Sequence, residues 1–290
     1  MLRIVRVLAP NADVYTLDGT NTWVVGSPPC VVIDPGPPIP SHLDEVAAAA
    51  AGDVAAVLVT HDHPDHAPAA VGFAERVGAP VFAFRVPGAQ HLGDGREVRA
   101  GSIALTAVHT PGHTSDHVAF FEPESRSLFS GDAVVGRGTS FIDPPDGDLA
   151  LYLRSLERMR GLGARTIYPG HGPVVLDAGG KLDEYVRHRA DREQQVLAAM
   201  AEGPATVASM VERIYAGYPP EVRPLAERSV LAHLLKLKGE GRASRTGRGE
   251  ETRWAAEEPR MCERCGRRPA VGRTTLCGPC GLAVLQETAE

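Results

Sequence analysis

Thr60-His-Asp-His-Pro-Asp-His66 follows an apolar run and brings three imidazoles and two carboxylates together. An apolar run of this length between turn signals predicts a buried strand, so these polar side chains stand at a strand end. Carboxylates crowded there would be costly to bury without a compensating cation. In an extended segment His61 and His63 point the same way, whereas Asp65 and His66, adjacent in a turn, can point to a second centre. The segment therefore indicates a metal site.

Three later segments each place one ligand-type side chain in a glycine-containing turn after a predicted strand. They are Thr110-Pro-Gly-His113, Ser130-Gly-Asp132 and Tyr168-Pro-Gly-His171. Glycine allows the close backbone approach that a shared cleft requires. A lone histidine is more often structural than a ligand, but a dense cluster followed by three such turns favours metal binding. We therefore expect these three segments to join the first one around one cleft.

The pattern of strands and helices divides the chain into three parts. Strands and helices alternate up to about residue 178, which predicts a layered α/β domain with each candidate ligand just beyond a strand end. After Gly179-Gly180 the pattern changes to three helices and a hairpin, an outline that fits a winged helix or a helical cap with a loose tail. The predicted parts are a catalytic domain at 1–178, a winged-helix-like domain at 181–256 and a cysteine-rich segment at 258–284.

Four cysteines near the C-terminus form two Cys-x-x-Cys pairs, Cys262 with Cys265 and Cys277 with Cys280. Each pair makes one tight turn, and two such turns supply the four thiolates of a closed tetrahedral zinc site. We expect one structural zinc here, in a knuckle or ribbon too small to fold without it. The stretch 236–273 is basic, which suits a contact with nucleic acid, and a contact with another protein is an equally open alternative.

Composition and charge set further limits. The chain has 290 residues, of which 43% are hydrophobic, and a formal net charge of −6, with the acidic excess in the first 180 residues. No stretch of about 18 apolar residues occurs, so we expect no membrane span, and the N-terminus lacks the pattern of a signal peptide. Cysteines in metal-type pairs argue against a disulfide framework. We expect a cytoplasmic protein, and its oligomeric state stays open.

The His-x-His-x-Asp-His segment, the later histidine, the Gly-Asp and the final Gly-His resemble the metallo-β-lactamase superfamily in order and approximate spacing. The resemblance implies an αββα sandwich that binds two zinc ions, although the same ligands also accept Mn or Fe. Asp34 matches the family's first motif and is expected to support the His loop by hydrogen bonds. The implied ligands are His61, His63 and His113 for one ion, Asp65, His66 and His171 for the other, and Asp132 as a bridge.

A centre of this kind indicates hydrolysis at phosphorus or at a carbonyl group. A hydroxide shared by two cations about 3.5–4 Å apart forms near neutral pH, and the cations polarise the oxygen of the substrate. Asp65 or Asp132 is expected to steer the proton. Position 66 is His, where β-lactamases often carry Arg, and position 132 is Asp, where many carry Cys. We therefore do not expect antibiotic hydrolysis.

A narrower resemblance is carried by four segments: Gly19-Thr-Asn-Thr-Trp23, Phe129-Ser-Gly-Asp132, Ile167-Tyr-Pro-Gly-His-Gly-Pro173 and His188-Arg-Ala-Asp-Arg-Glu-Gln-Gln195. They look like the β-lactamase-like endoribonucleases of mitochondria and their bacterial relatives. The resemblance implies cleavage of single-stranded RNA, in a branch that also contains thioesterases and glyoxalase II-type enzymes.

Three functions are open, in order of preference. The first is an RNA phosphodiesterase, whose substrate backbone would need cations near the cleft. Candidate cations are Arg137, Arg242, Arg245 and Arg248. The second is a thioesterase or glyoxalase II-like hydrolase that uses the same metals on a small ester or thioester. The third is a nucleic-acid-binding regulator whose catalytic domain is idle.

Overall fold

The predicted strands of the first part pair into two sheets. The computed structural model describes residues 2–258 and 263–265. The first sheet contains, in sheet order, Ile4–Leu8 (β1), Asn21–Val25 (β2), Cys30–Ile33 (β3), Val54–Leu58 (β4), Val81–Ala83 (β5) and Gln90–His91 (β6). The second sheet contains Glu97–Ala100 (β7), Ile103–His109 (β8), Val118–Glu122 (β9), Ser127–Gly131 (β10) and Thr166–Pro169 (β11), in the sheet order β11-β10-β9-β8-β7.

Helices make three of the crossovers between parallel strands, whereas the parallel pair β5 and β6 is joined by a loop. Pro40–Ala49 (α1) joins the parallel pair β3 and β4, and Ala70–Val77 (α2) joins β4 and β5. In the second sheet Leu149–Gly161 (α3) joins the parallel pair β10 and β11. Antiparallel neighbours such as β8 and β9 are joined without a helix.

The ends of these helices follow from local sequence. Asp148 begins α3 because its carboxylate accepts a hydrogen bond of 2.8 Å from the backbone N–H of Leu151. Gly78 ends α2 in the left-handed conformation, with φ of 70°, which glycine adopts without the penalty of a Cβ atom.

Two apolar layers hold the sheets in place. One layer lies between the sheets and includes Val31 and Leu58 of the first and Leu105, Phe120 and Phe129 of the second. A second layer packs α1 and α2 on the other face of the first sheet. All of these strands except the exposed β6 contribute apolar side chains to a buried face, so the layers agree with the predicted αββα sandwich.

The remainder of the chain is mainly helical. Its elements are Ala178–Met200 (α4), Val207–Ile214 (α5), Arg223–Gly239 (α6), Ala243–Thr246 (β12) and Arg253–Ala256 (β13), with short 3₁₀ turns at Pro220–Val222 and Gly249–Glu251. Strands β12 and β13 pair antiparallel, as a hairpin. Trp254, Met210 and Leu234 are buried in one apolar cluster with the end of α4. Three helices and a hairpin confirm the predicted winged-helix outline.

The chain divides into two compact units between Arg187 and His188. This boundary lies inside α4. The composition changes earlier in the chain, at Gly179-Gly180, and these two glycines form part of the first turn of α4. Within the described ranges, no helix is both long and apolar enough to span a membrane. Cys262, Cys277 and Cys280, and with them most of the predicted zinc segment 258–284, lie outside the described residues.

Candidate metal centre

The candidate ligands stand at one edge of the two sheets. The segment Thr60–His66 follows β4, His113 follows β8, Asp132 follows β10 and His171 follows β11. The structure brings all of these side chains together, as the sequence predicts. They form two groups in which the ligand atoms lie within 4.8 Å of one another: His61, His63, His113 and Asp132 in the first, and Asp65, His66 and His171 in the second.

The carboxylate of Asp132 lies between the two groups. One of its oxygens is 3.2 Å from His171 Nε2 and 3.7 Å from His113 Nε2, and the other is 3.5 Å from His66 Nε2. A carboxylate within reach of both groups has the position that a bridging ligand requires. Asp65 belongs to the second group alone, with its Oδ2 atom 3.2 Å from His66 Nε2 and 3.3 Å from His171 Nε2.

Four of the imidazoles are oriented by a hydrogen bond on the ring nitrogen that faces away from the site. The acceptors are Thr60 Oγ1 for His61 (2.9 Å), Asp34 for His66 (2.9 Å), the carbonyl of Phe141 for His113 (2.7 Å) and the carbonyl of Gly19 for His171 (3.1 Å). Such a partner fixes the tautomer, so that the lone pair of the other nitrogen points inward.

Two buried atoms that face the site lack a hydrogen-bond partner among the described residues, namely His61 Nε2 and Asp132 Oδ1. A buried polar atom without a partner is costly, and a cation would satisfy both. The donor set of imidazoles and carboxylates suits zinc and other divalent metals. The residues therefore fit two divalent ions.

Comparison with known proteins agrees with this geometry. Residues 15–171 match the Metallo-beta-lactamase superfamily. This chain belongs to that superfamily. Residues 206–254 match the Beta-lactamase associated winged helix domain. As a member with this ligand cluster and with hydrolase relatives, the protein is a metal-dependent hydrolase.

Relatives extend the similarity beyond the catalytic domain. The chain is 32% identical to the Beta-lactamase-like protein 2 homolog of Caenorhabditis elegans, over 82% of this chain and 85% of the relative. It is 33% identical to the Atrochrysone carboxyl ACP thioesterase of Aspergillus chevalieri, over 87% of this chain and 86% of the relative. A metallo-beta-lactamase family protein from Thermus thermophilus has a similar structure, with a TM-score of 0.72, 25% identity, and coverage of 88% of this chain and 98% of that one.

Asp34 organises the superfamily's His loop in this chain. It is buried with φ of 51°, and one of its oxygens accepts a hydrogen bond from the backbone N–H of Thr60 at 2.7 Å. The other oxygen accepts from the Thr60 hydroxyl at 2.7 Å and from His66 Nδ1 at 2.9 Å. These contacts confirm that Asp34 supports the loop by hydrogen bonds.

The charges of the site match those of a metal-ligand set only in part, because nearby carboxylates raise the pKa of His66 as well as that of His171. Burial lowers the pKa of His61 and His63, the latter to about 4, so both imidazoles are neutral. Burial opposes ionisation of Asp132, but His171 and His66 outweigh it and hold the pKa of this carboxyl well below its usual value. Against the effect of burial, Asp132 raises the pKa of His171 to about 9. Loading a metal therefore requires release of that proton.

The close approach of the ligand turns depends on a glycine. A Cβ atom on Gly170 would lie 2.4 Å from Asp132 Oδ1 and 2.9 Å from His66 Cε1. Only glycine fits between these two side chains, which explains why the turn before His171 has the sequence Pro-Gly-His.

Other residues named in the sequence also have defined surroundings in the structure. Asn21, in the quoted segment Gly19-Thr-Asn-Thr-Trp23, is buried and donates to the carbonyl groups of Pro169 and Gly172 at 2.9 Å. Arg137 is paired with Asp18 at 3.1 Å, and Arg242 with Glu193 at 2.5 Å. Each of these two arginines therefore has a carboxylate partner within this chain. Arg245 and Arg248 are exposed on the hairpin segment.

Sequence reasoning missed His117 and Thr20. Thr20 donates its hydroxyl to Asp65 Oδ2 at 2.7 Å, and His117 accepts from the backbone N–H of Asp132 at 3.2 Å. Nothing in the local pattern marks Thr20. His117 follows His113 closely in sequence, and that proximity was the available signal.

Proposed function

We propose that the protein is a binuclear zinc-dependent hydrolase that cleaves acyl thioesters. The observation that carries the proposal is the pair of ligand groups that share the Asp132 carboxylate. Support for the substrate comes from a relative named as an acyl carrier protein thioesterase, which is similar over 87% of this chain. The names of the relatives favour a thioester over the RNA phosphodiester that the narrower resemblance in sequence implies.

The roles of the residues follow from their positions. When bound, two divalent metals supply Lewis acidity and a hydroxide at neutral pH. Asp132 would hold both metals at a fixed separation from its place between the groups. Asp65 is held by the hydroxyl of Thr20 and is partly exposed, so its carboxylate can accept a proton from the attacking water. Deep burial of His61 and His66 excludes water from the inner side of the site.

The surface beside the site suits an apolar substrate. Val14 and Tyr15 are 68% and 58% exposed, and the ring of Tyr15 lies 6.1 Å from that of Phe141. The same two loops orient ligands, because the carbonyl of Gly19 holds His171 and the carbonyl of Phe141 holds His113. This aromatic pair therefore supports binding of an apolar acyl group next to the metals.

A direct test compares substrates on metal-replete protein. We expect release of thiol from acyl thioesters, measured with a thiol-reactive dye, and loss of at least about 1,000-fold in rate in Asp132→Ala, because a bridging ligand is removed. Metal analysis should give two zinc ions per catalytic domain. Absence of thioester hydrolysis across short, long and aromatic acyl groups would reject the substrate class.

Tyr15 provides a test of acyl recognition. Tyr15→Ala should raise KM for thioesters with long or aromatic acyl groups by about 10-fold and leave acetyl thioesters nearly unchanged, since one aromatic contact contributes about 1–2 kcal/mol. Leu176→Ala is the matched control, because Leu176 is 81% exposed and lies between β11 and α4, away from the Tyr15 loop in sequence. Equal effects of the two substitutions on all substrates would exclude the apolar site.

RNA cleavage is the second candidate, because the winged-helix domain carries the exposed arginines Arg245 and Arg248. The same protein incubated with labelled single-stranded RNA should then give metal-dependent fragments that Asp132→Ala does not produce. RNA binding without turnover of any substrate would favour the regulator.

The cysteine segment is proposed to bind a third, structural zinc through Cys262, Cys265, Cys277 and Cys280. Removal of residues 258–290 should then lower the zinc content by one ion per chain and leave hydrolysis of small thioesters intact. If the segment holds RNA, the truncated protein should also bind RNA less tightly.

A further inference from the structure

His117 is a fully buried histidine that lies beside the metal centre without belonging to either ligand group. Its ring centroid is 5.1 Å from that of His61 and 6.1 Å from that of His113. Nothing in the proposed hydrolysis uses it. Its role therefore has to follow from the contacts that it makes next to His61 and His113.

Both ring nitrogens of His117 have partners, and the partners determine the tautomer. The backbone N–H of Asp132 can only donate, so His117 Nε2, at 3.2 Å, accepts. The proton of the neutral ring is therefore on Nδ1, which donates to Thr110 Oγ1 at 2.8 Å. Burial, and then the proximity of His113, lower the pKa of His117, which agrees with a neutral ring. With both nitrogens engaged, this imidazole is not a metal ligand.

His117 contacts three loops that carry candidate ligands. Its carbonyl accepts from the N–H of Thr110 at 2.8 Å and so closes the loop that holds His113. The N–H of Val118 donates to the carbonyl of Thr60 at 2.8 Å, just before His61. The turn at Gly131 approaches closely, since a Cβ atom there would lie 2.8 Å from His117 Nε2 and 2.7 Å from Thr60 Oγ1.

We infer that His117 is a positioning residue. By accepting a hydrogen bond from the backbone N–H of Asp132, it fixes the carboxylate of Asp132 between the two ligand groups. Without this acceptor the buried N–H of Asp132 has no partner, and the turn after β10 must move to find one. Such a movement would displace the Asp132 carboxylate from its place between the two ligand groups. The inference rests on the proposed binuclear centre and is independent of the thioester substrate.

Two substitutions of His117 test the two hydrogen bonds of its ring one at a time. The side-chain amide of Gln reaches the place of Nε2, so His117→Gln keeps an acceptor for Asp132. The shorter amide of Asn replaces Nδ1 alone, so His117→Asn keeps the contact with Thr110 and loses the contact with Asp132. Cobalt titration of the metal-free proteins, followed by visible absorption, should show two ions bound at the His/Asp site of wild type and of His117→Gln, apart from any ion held by the C-terminal cysteines. In His117→Asn we expect affinity about 10- to 100-fold weaker for at least one ion.

A second pair of variants covers failure of the first pair to fold. Thr110→Val is nearly isosteric and removes the acceptor that holds the proton on Nδ1, whereas Thr110→Ser keeps the hydroxyl. We expect weaker cobalt binding in the valine variant and wild-type binding in the serine variant. Long-range ¹H–¹⁵N spectra of the zinc-loaded wild type should show His117 protonated on Nδ1.

The outcomes distinguish this inference from the proposed function. Wild-type cobalt affinity in His117→Asn, equal losses in the Asn and Gln variants, or a proton on Nε2 would overturn the positioning role. Wild-type protein that binds fewer than two ions at the His/Asp site would overturn the binuclear centre and the positioning role together. Two bound ions without thioester hydrolysis would reject only the substrate.

Discussion

Asp34 is a single carboxylate that serves three donors in the turn after β4. It accepts from the N–H and hydroxyl of Thr60 and from His66 Nδ1. Asp34→Asn tolerates the left-handed backbone but offers one acceptor oxygen in place of two. We expect a loss of about 1–3 kcal/mol in the free energy of unfolding, measured in urea, because a buried donor is left without a partner. Asp53→Asn, at an exposed position, should change it by less than about 0.5 kcal/mol. Equal effects of both substitutions would contradict the role of Asp34.

A substitution at Gly170 tests the position of the Asp132 carboxylate in the metal centre. In Gly170→Ala the added methyl group would overlap the carboxylate of Asp132, 2.4 Å away, and displace it from the metals. We expect metal affinity to fall by about 10-fold or more, measured by titration, while the fold is retained.

The control is Gly72→Ala in α2, where the Cβ atom meets nothing within 4 Å. This control should raise the stability by about 0.5–1 kcal/mol. Unchanged metal binding in Gly170→Ala would show that the centre is laid out differently.

At the scale of elements, α6 contains a buried histidine that makes the second unit sensitive to acid. His233 donates from Nδ1 to the carbonyl of Ser229 at 2.8 Å, and burial lowers its pKa to about 4. As the pH falls below about 6.5, the unfolded chain takes up a proton at His233 and the folded unit does not. The contribution of the neutral His233 to the free energy of unfolding is therefore fully present above about pH 6.5. It is lost progressively down to about pH 4, by about 3 kcal/mol in all.

His233→Leu should flatten this pH dependence. The chain has two tryptophans, so a Trp23→Phe background leaves Trp254, buried in the second unit, as the fluorescent probe of its unfolding. His91→Leu, which removes an exposed histidine in β6, should retain the slope between pH 7 and 4. If the slope persists in His233→Leu as well, another group causes the sensitivity of this unit.

At the scale of the whole molecule, the two sheets hold the four ligand-bearing turns together. Because the ligands come from the ends of β4, β8, β10 and β11, metal binding should stabilise the folded first unit against unfolding. Free zinc at about 100 times its Kd contributes about 2.7 kcal/mol per site. We expect chelation to lower the Tm reported by Trp23 in a Trp254→Phe background. Asp132→Ala should respond much less to zinc. A Tm that is insensitive to chelator in the unsubstituted centre would argue against metal binding in solution.

Much of the fold and of the candidate site is predictable from local patterns. The apolar run before Thr60 predicts β4, and the glycine turns at His113, Asp132 and His171 predict that the ligands follow strands. The winged-helix outline follows from helical periodicity and the turn at Gly247. These features are predictable because strand and helix signals depend on neighbours in sequence.

The sequence by itself determined the type of chemistry, since the set of imidazoles and carboxylates is present in the order of residues. Only the tertiary structure decided which groups support that set. The carbonyl of Gly19 orients His171, 152 residues away, and the carbonyl of Phe141 orients His113. Tyr15 meets Phe141 beside the site, and His117 meets the backbone of Asp132. Backbone carbonyls and N–H groups are the same at every position, so no sequence pattern marks the few that long-range packing brings to the metal centre.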